Sequence, residues 1–307
     1  MSSVFGPLRL IVNPRAGRGV VGRTLPELEA ELRARSLDYD VVQTRRAGHA
    51  TEAARSALDE GLRYLIAVGG DGTVHEVVNG MFQDGKAVAP EAVLGVAAAG
   101  SGCDFVRTFG LDRKPKFLGP HFASDTWMDI DVGLATFVRP DGTPGSRLFA
   151  NIAEVGYGAE VVRRAARLPR FIGRLRYLLG AYGAIRGHHR QTAPVTVGHT
   201  TATVPVVNLV VANAQFFGGG MNVAPRALPD DGQFNVQIYN GDRSQVFLLT
   251  RKMFRGDHLP DPKIIEYQSP TVSFAPPDPM PVEADGEVLG TTPATFSVLH
   301  QVLRLKI

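Results

Sequence analysis

The first part of the chain alternates short apolar runs with helical stripes. Leu8 to Val12 is an apolar run closed by Asn13-Pro14, and Leu25, Leu28 and Leu32 place one apolar stripe on the helix that follows. Tyr39 to Gln43 predicts a second strand, Thr51 to Leu58 a helix that Gly61 stops, and Tyr64 to Val68 a third strand. A helix over Val74 to Met81 and a strand over Val93 to Ala97 complete this stretch. Such βαβ alternation predicts a parallel sheet with helices on both faces, and ligands then sit at the carboxyl ends of the strands.

Beyond Trp127 the pattern turns β-rich. Strands are predicted at Met128 to Leu134, Leu148 to Val155, Val195 to Val197, Val204 to Ala212, Phe234 to Tyr239, Ile264 to Tyr267 and Thr271 to Phe274. Only an arginine-rich stretch and Ser244 to Phe254 read as helical, and frequent Pro and Gly fit an antiparallel sandwich or barrel. Thr295 to Ile307 is one more strand. A chain of 307 residues suits two domains at roughly 100 to 200 residues each. The texture places them at 1–127 and 128–294, with 295–307 expected to return to the first.

Composition narrows the class. No apolar run nears the roughly 18 residues of a membrane span, the start has no basic region ahead of an apolar stretch, and one cysteine cannot form an internal disulfide. The expectation is a cytoplasmic protein, peripheral at a membrane at most. Net charge is +3, too modest to argue for nucleic acid, and no nucleic-acid partner is expected. The charge is local, however. Arg163, Arg164, Arg167, Arg170, Arg174, Arg176, Arg186 and Arg190 lie in a segment without Asp or Glu, and the rest of the chain is net acidic. Three readings of that segment stay open: solvated helix surface, contacts to nucleotide phosphates, or a basic amphipathic patch on anionic lipid. Leu168, Phe171, Leu175, Leu178 and Leu179 supply the apolar face of the last. His188-His189 is too isolated for a metal site.

The richest chemistry is Gly69-Gly70-Asp71-Gly72-Thr73, directly after an apolar strand and directly before a helix. Glycines there let the backbone approach a phosphate and aim N–H groups at its oxygens, and Asp71 stands where Mg²⁺ would bind. The pattern is neither the Walker loop nor GxGxxG. Three other strand ends join it on the same sheet edge: Asn13-Pro14-Arg15-Ala16-Gly17, Thr44, and Gly100-Ser101-Gly102-Cys103-Asp104. Together they offer backbone donors, hydroxyls and the carboxylates Asp71 and Asp104, a set that suits a nucleoside triphosphate with its metal. Farther on, Glu283, Asp285 and Glu287 cluster around Gly286, either as an acidic hairpin turn on the surface or as a carboxylate group in which burial and like charge raise one pKa, as a general base requires.

These motifs resemble the diacylglycerol-kinase-type lipid kinases, which include bacterial soluble lipid kinases and, more distantly, sphingosine and ceramide kinases. The resemblance is carried by the NPRAG loop, Thr44 with Gly48-His49-Ala50, GGDGTVHEVVNG from Gly69, GSGCDFVRTFG from Gly100, GGGMNVAPRALPDDG from Gly218, and Asp285-Gly286-Glu287. They run in the family's order across nearly the whole chain. The resemblance implies an N-terminal parallel-sheet nucleotide-binding α/β domain and a C-terminal antiparallel β-sandwich-like lipid-binding domain, with ATP and Mg²⁺ as cofactors. It implies ATP contacts at Thr44, at Gly69, Gly70, Gly72 and Thr73, and at Ser101, with Asn13 and Gly100 in the same loops. Asp71 and Asp104 would serve the catalytic metal, and Glu287 would be the general base. Leu228, Asp231 and Gln233 match the spacing of a structural Mg²⁺ site in bacterial members, two of its ligands being backbone carbonyls. One departure stands out: bacterial members usually carry Gly-Thr-x-Asn-Asp where this chain has Gly-Ser-Gly-Cys-Asp, the Gly-Ser-Gly being closer to the sphingosine and ceramide branch. Cys103 reads as a small tucked-in residue, and His49, beside Gly48 in a turn, as one that caps or hydrogen-bonds rather than catalyses.

The expected activity is transfer of the ATP γ-phosphoryl group to the free hydroxyl of a lipid, diacylglycerol or a relative, during transient contact with an anionic membrane surface, with room for a homodimer. Two rivals remain: a kinase of a soluble substrate that shares GGDGT, such as an NAD kinase, and a non-enzymatic nucleotide or lipid binder.

Overall fold

The computed structural model describes residues 3–99, 102–111, 114–169, 175–187 and 190–307, the side chains at 18, 186, 187, 243 and 244 excepted. The chain divides into two compact units, Met1–Val132 with His300–Ile307, and Gly133–Leu299.

The first unit runs β1 (Leu8–Val12), α1 (Val20–Ala34), β2 (Tyr39–Gln43), α2 (His49–Asp59), β3 (Tyr64–Gly69), α3 (Asp71–Met81), the small hairpin β4 (Phe82–Gln83) and β5 (Lys86–Ala87), β6 (Val93–Ala98), α4 (Asp104–Thr108) and α5 (Pro115–Ala123). Its parallel sheet has the order β2-β1-β3-β6, and Arg304 and Leu305 of β19 (Glu287–Lys306) add a further parallel strand beside Val93 and Leu94 of β6. Every residue of β3 and β6 is buried, as the unbroken apolar runs of a sheet covered on both faces require. One face packs Leu10, Val12, Ile66 and Val68 on Leu28, Leu32 and Phe122. On α2 and α3 small residues allow a close crossing: a Cβ on Gly80 would lie 2.4 Å from the Thr51 carbonyl oxygen and 2.7 Å from the Ala54 Cβ. Helix α5 was not anticipated from the sequence, because Pro115, Gly119 and Pro120 mask its short apolar face.

The second unit is antiparallel apart from its helices. It holds the later part of β7 (Trp127–Val138), then β8 (Pro144–Phe149), β9 (Ile152–Gly156), α6 (Tyr157–Ala166), α7 (Leu175–Gly187), β10 (Gln191–Val197), β11 (Thr200–Val206), β12 (Asn208–Ala212), the short pair β13 (Phe216–Phe217) and β14 (Met221–Asn222), β15 (Phe234–Tyr239), α8 (Arg243–Met253), β16 (Ile264–Ser269), β17 (Thr271–Phe274), β18 (Pro281–Ala284) and the first part of β19. One run of strands is β16-β15-β12-β9-β18-β19, and a second is β11-β10-β17-β19. At their shared core Phe149 and Phe234 stack, 5.6 Å apart and nearly parallel, and Phe296 meets Phe149 edge-on. The parallel first sheet and the antiparallel sandwich-like second one are the fold class that the sequence predicts.

Two predicted strands are corrected. Leu148 to Val155 is not one strand but β8 and β9, broken at Ala150-Asn151, whose N–H groups turn to the Asp285 carboxylate rather than to a ladder. Val204 to Ala212 is likewise β11 and β12. The break is Val207, whose N–H donates to the Tyr239 carbonyl and whose carbonyl accepts from Tyr157 N–H. Both breaks are made by residues far away in sequence, so local pattern does not carry them. Among the described residues no helix is long and apolar enough to cross a membrane.

Candidate active site

In the first unit, the register aligns the strand ends: Val12 stands opposite Gln43 and Val68, and Gly69 opposite Ala98. The loops after β1, β2, β3 and β6 therefore emerge together. They are also stitched to one another. Asn13 N–H donates to the Val68 carbonyl, Thr44 N–H to the Val12 carbonyl at 2.8 Å, and Ala99 N–H to the Gly69 carbonyl at 2.8 Å. The Asn13 side-chain amide reaches Thr73 Oγ1 at 3.3 Å, which ties the NPRAG loop to the GGDGT loop. Gly17, at φ +60°, passes so close to the Ala99 carbonyl that a Cβ would sit 2.0 Å from its oxygen. A Cβ on Gly69 would meet Thr73 Oγ1 at 2.3 Å, whereas Gly72 faces open space. The two glycines thus do different work, one allowing close packing and the other leaving the backbone accessible.

Asp71 is the first residue of α3, at the end of the helix where the dipole favours negative charge, and the turn is closed by Thr73 N–H donating to the Gly70 carbonyl at 2.8 Å. Asp71 Oδ1 accepts the Phe105 N–H at 3.0 Å, so the carboxylate holds the β6–α4 loop in place. Asp104 is buried, with Oδ1 3.7 Å from Arg107 Nε. Cys103 is buried as expected and takes a left-handed conformation at φ +53°, one that Asn adopts more readily. Gly100 and Ser101 lie outside the described residues. His49 hydrogen-bonds rather than caps: its Nδ1 accepts Arg45 N–H from the preceding loop, and Glu76 of α3 accepts Ala50 N–H at the start of α2.

In the second unit, β18 and β19 form a tight hairpin in which Ala284 stands opposite Glu287 and Asp285 and Gly286 both have positive φ, +51° and +85°. The turn is fastened by its own carboxylates. Asp285 accepts Ala150 N–H at 3.0 Å, Asn151 N–H at 3.0 Å and Ile152 N–H at 3.2 Å. Glu283 Oε2 accepts Gly286 N–H at 2.9 Å. Glu287 is half-buried and pairs through its backbone with Ala284, and among the described residues its carboxylate has no hydrogen bond or ion pair. The picture of a surface acidic turn is therefore corrected, since Glu283 is fully buried. The carboxyls that burial pushes up are Glu283 and its neighbour Glu154, the latter to about 7. Sequence reasoning missed Glu154, which lies on another strand and in no motif.

Leu228 is 52% exposed, and Asp231 Oδ1 accepts Gln233 N–H at 2.9 Å, so this loop carries one carboxylate folded back on its own backbone. Among the described residues no group of three or more His, Cys, Asp or Glu could hold a metal ion. The arginine segment needs a correction: Arg163 and Arg164 are not without a counter-ion, because Glu160, three residues before Arg163, pairs with both at 2.6 Å. Arg170, Phe171, Arg174 and His188-His189 lie outside the described residues. On α7, Leu175, Leu178, Leu179 and Tyr182 are all exposed, at the spacing of one helical face.

A parallel sheet with a glycine loop and an acidic first helical residue at its carboxyl edge, followed by an antiparallel sandwich, defines an α/β kinase domain joined to a β-sandwich domain. Residues 7–135 match the diacylglycerol kinase catalytic domain, and residues 151–307 match the YegS C-terminal NAD kinase beta sandwich-like domain. The chain belongs to the diacylglycerol kinase family, and it is a kinase. It is 27% identical over 297 residues to a diacylglycerol kinase of Staphylococcus carnosus, covering 95% of this chain and 92% of that one. To a diacylglycerol kinase of Bacillus subtilis it is 26% identical over 297 residues, covering 95% and 93%. A solved diacylglycerol kinase structure from Bacillus anthracis superposes with a TM-score of 0.71 over 99% of this chain and 97% of that one, at 18% identity, a likeness of fold.

Proposed function

We propose that this kinase transfers the γ-phosphoryl group of ATP to a lipid hydroxyl, that of diacylglycerol or a related lipid, with Glu287 as the general base. The observation that carries this reading is the division of labour at the hairpin. Asp285 is committed to three backbone N–H groups and Glu283 to Gly286, which leaves Glu287 as the carboxylate able to take the acceptor's proton.

The loops after β1, β2 and β3 bind and orient the triphosphate through backbone N–H groups and through Asn13, Thr44 and Thr73. The residues also fit a divalent cation. Asp71 uses one oxygen for the Phe105 N–H, and a carboxylate offers further acceptor positions. Mg²⁺ held there would neutralise charge on the phosphates during transfer. In the set of Leu228, Asp231 and Gln233, Asp231 would supply the carboxylate and the other two backbone carbonyls, a donor set that suits Mg²⁺ only with water completing it. A lipid acceptor is supported by the exposed apolar face of α7, which bears Arg176 and follows Arg167, a composition that would rest on an anionic membrane surface.

The experiment is phosphorylation with labelled ATP in diacylglycerol mixed micelles, followed by organic extraction. Wild type should move label into the organic phase. Glu287→Gln should lose roughly 10²- to 10⁴-fold in kcat while binding ATP normally. Label confined to water-soluble product would overturn the lipid acceptor, and a Glu287→Gln enzyme within a few-fold of wild type would overturn the base.

A further inference from the structure

Glu154 of β9 and Glu283 of β18 are directly opposed across an antiparallel ladder, between the pairs Val155–Val282 and Ala153–Ala284. Opposed residues share a face of the sheet, with Cβ atoms about 5 Å apart. Both are buried, Glu283 completely. At one end of the pair, Asn208 of β12 donates its side-chain N–H to Glu154 Oε1 at 2.8 Å, while its own carbonyl oxygen accepts Gly158 N–H. Gly158 is small of necessity, because a Cβ there would stand 2.2 Å from Glu154 Oε2. At the other end, Glu283 Oε2 accepts Gly286 N–H, but Glu283 Oε1 is buried without a hydrogen-bond partner.

Two adjacent carboxylates in a dry sheet cannot both stay charged, and no arginine, lysine or histidine among the described residues contributes to the titration of either. The other groups around them add no positive charge. Asp285 pushes Glu283 further up, and Tyr157 of α6 and Tyr239 of β15 are held neutral by burial. A proton between Glu154 and Glu283 Oε1 resolves the repulsion and supplies the missing partner. It leaves Glu283 Oε2 as a charge-assisted acceptor for Gly286, the residue immediately before Glu287.

We infer that Glu154 and Glu283 share one proton and that this pair, acting through the Gly286 N–H, is the positioning device for Glu287. The inference rests on the reading of Glu287 as the base. With the proton in place the hairpin is latched and Glu287 is presented in one orientation. When the proton is lost, two like charges face each other across β9 and β18, the latch opens, and turnover falls although Glu287 itself is intact. Burial raises both carboxyls, Glu154 to about 7, so the proton is lost as pH rises through neutrality.

The test is kcat against pH, from about 6 to 9, with saturating ATP and Mg²⁺ in diacylglycerol mixed micelles, alongside urea unfolding of the full chain over the same range. Glu154→Gln carries an amide N–H where the shared proton lies, so the alkaline fall of kcat should move up by at least one pH unit. Glu283→Ala removes the latch and should lower kcat roughly tenfold with the KM for ATP unchanged, and Glu283→Gln should restore most of that loss. Wild-type stability should decline as pH rises and the shared proton is lost, and Glu154→Gln should flatten the decline. An alkaline limb and a stability slope in Glu154→Gln identical to wild type would overturn the shared proton, and equal defects in Glu283→Ala and Glu283→Gln would overturn the latch. If Glu287→Gln turns over normally while the stability slope still depends on Glu154, the base reading has failed and the positioning role with it, whereas the shared proton stands.

Discussion

Removing the Asp285 carboxylate should damage the second unit more than its half-exposed position suggests. Its three acceptor contacts, at 3.0, 3.0 and 3.2 Å, satisfy the consecutive N–H groups of Ala150, Asn151 and Ile152. Hydrogen bonds to a charged group are worth about 1.5 to 3 kcal/mol each, and a buried donor left unpaired costs about 1 to 3 kcal/mol. Water can reach part of this turn, so the lower end of each range applies, and Asp285→Ala should cost about 3 to 5 kcal/mol. Asp285→Asn should cost about 1 to 2 kcal/mol, because the amide oxygen still accepts and Asn tolerates the φ of +51°. For a unit of this size about 3 °C accompanies each kcal/mol, so thermal unfolding should drop by about 10 °C for the alanine variant and about 4 °C for the asparagine one. Differential scanning calorimetry of the full chain reads both, and two transitions would show which unit is hit. A loss below about 1 kcal/mol for Asp285→Ala would refute the argument, as would a larger loss for Asn than for Ala.

Asp71→Asn should leave the fold intact while removing most of kcat, since Asn keeps the contact to Phe105 N–H but not the charge that holds a cation; wild-type turnover with unchanged Mg²⁺ dependence would contradict the assignment. Liposome sedimentation should rise with anionic lipid and fall with salt, and Leu178→Glu with Leu179→Glu should cut it several-fold, whereas binding indifferent to all three would remove α7 from the membrane reading. His121 is held down to about 4, first by burial and then by the Lys306 charge, so the folded state binds fewer protons there than the unfolded one. Stability should therefore fall as pH drops from about 6.5 toward about 4, by about 1 to 2 kcal/mol after allowance for solvent screening, and an undiminished acid loss in His121→Gln would place its origin elsewhere.

The legible parts of the chain were those whose cause is local. The buried runs of β3 and β6 announce a parallel sheet in their own composition, and the GGDGT loop announces its strand-to-helix turn. Asp285-Gly286 announces a hairpin for the same reason, since Asp and Gly are the residues that accept two consecutive left-handed positions. What stayed hidden depends on partners distant in sequence. Glu154 looks like one polar residue in an apolar strand until β18 arrives beside it, and the breaks at Asn151 and Val207 are made by Asp285 and by Tyr157 with Tyr239. The arginine segment is the opposite case, because the counter-ion Glu160 is a local neighbour that lies just before the acid-free stretch.

The pairing of Arg304 and Leu305 with Val93 and Leu94 has a consequence for how the chain is made. The strand that covers the outer side of β6 is translated some 200 residues after β6 itself, which at about 5 to 20 residues per second is a delay of about 10 to 40 s. During that interval the nascent first sheet ends in a fully apolar strand, Val93–Ala98, with its N–H and C=O groups unpaired on one side. Such an edge is a template for another strand, so the ribosome-bound chain needs either a chaperone over β6 or a slow commitment to the sheet. A truncation that removes 300–307 would make that transient exposure permanent, and should appear as aggregation in the cell before it appears as lost turnover.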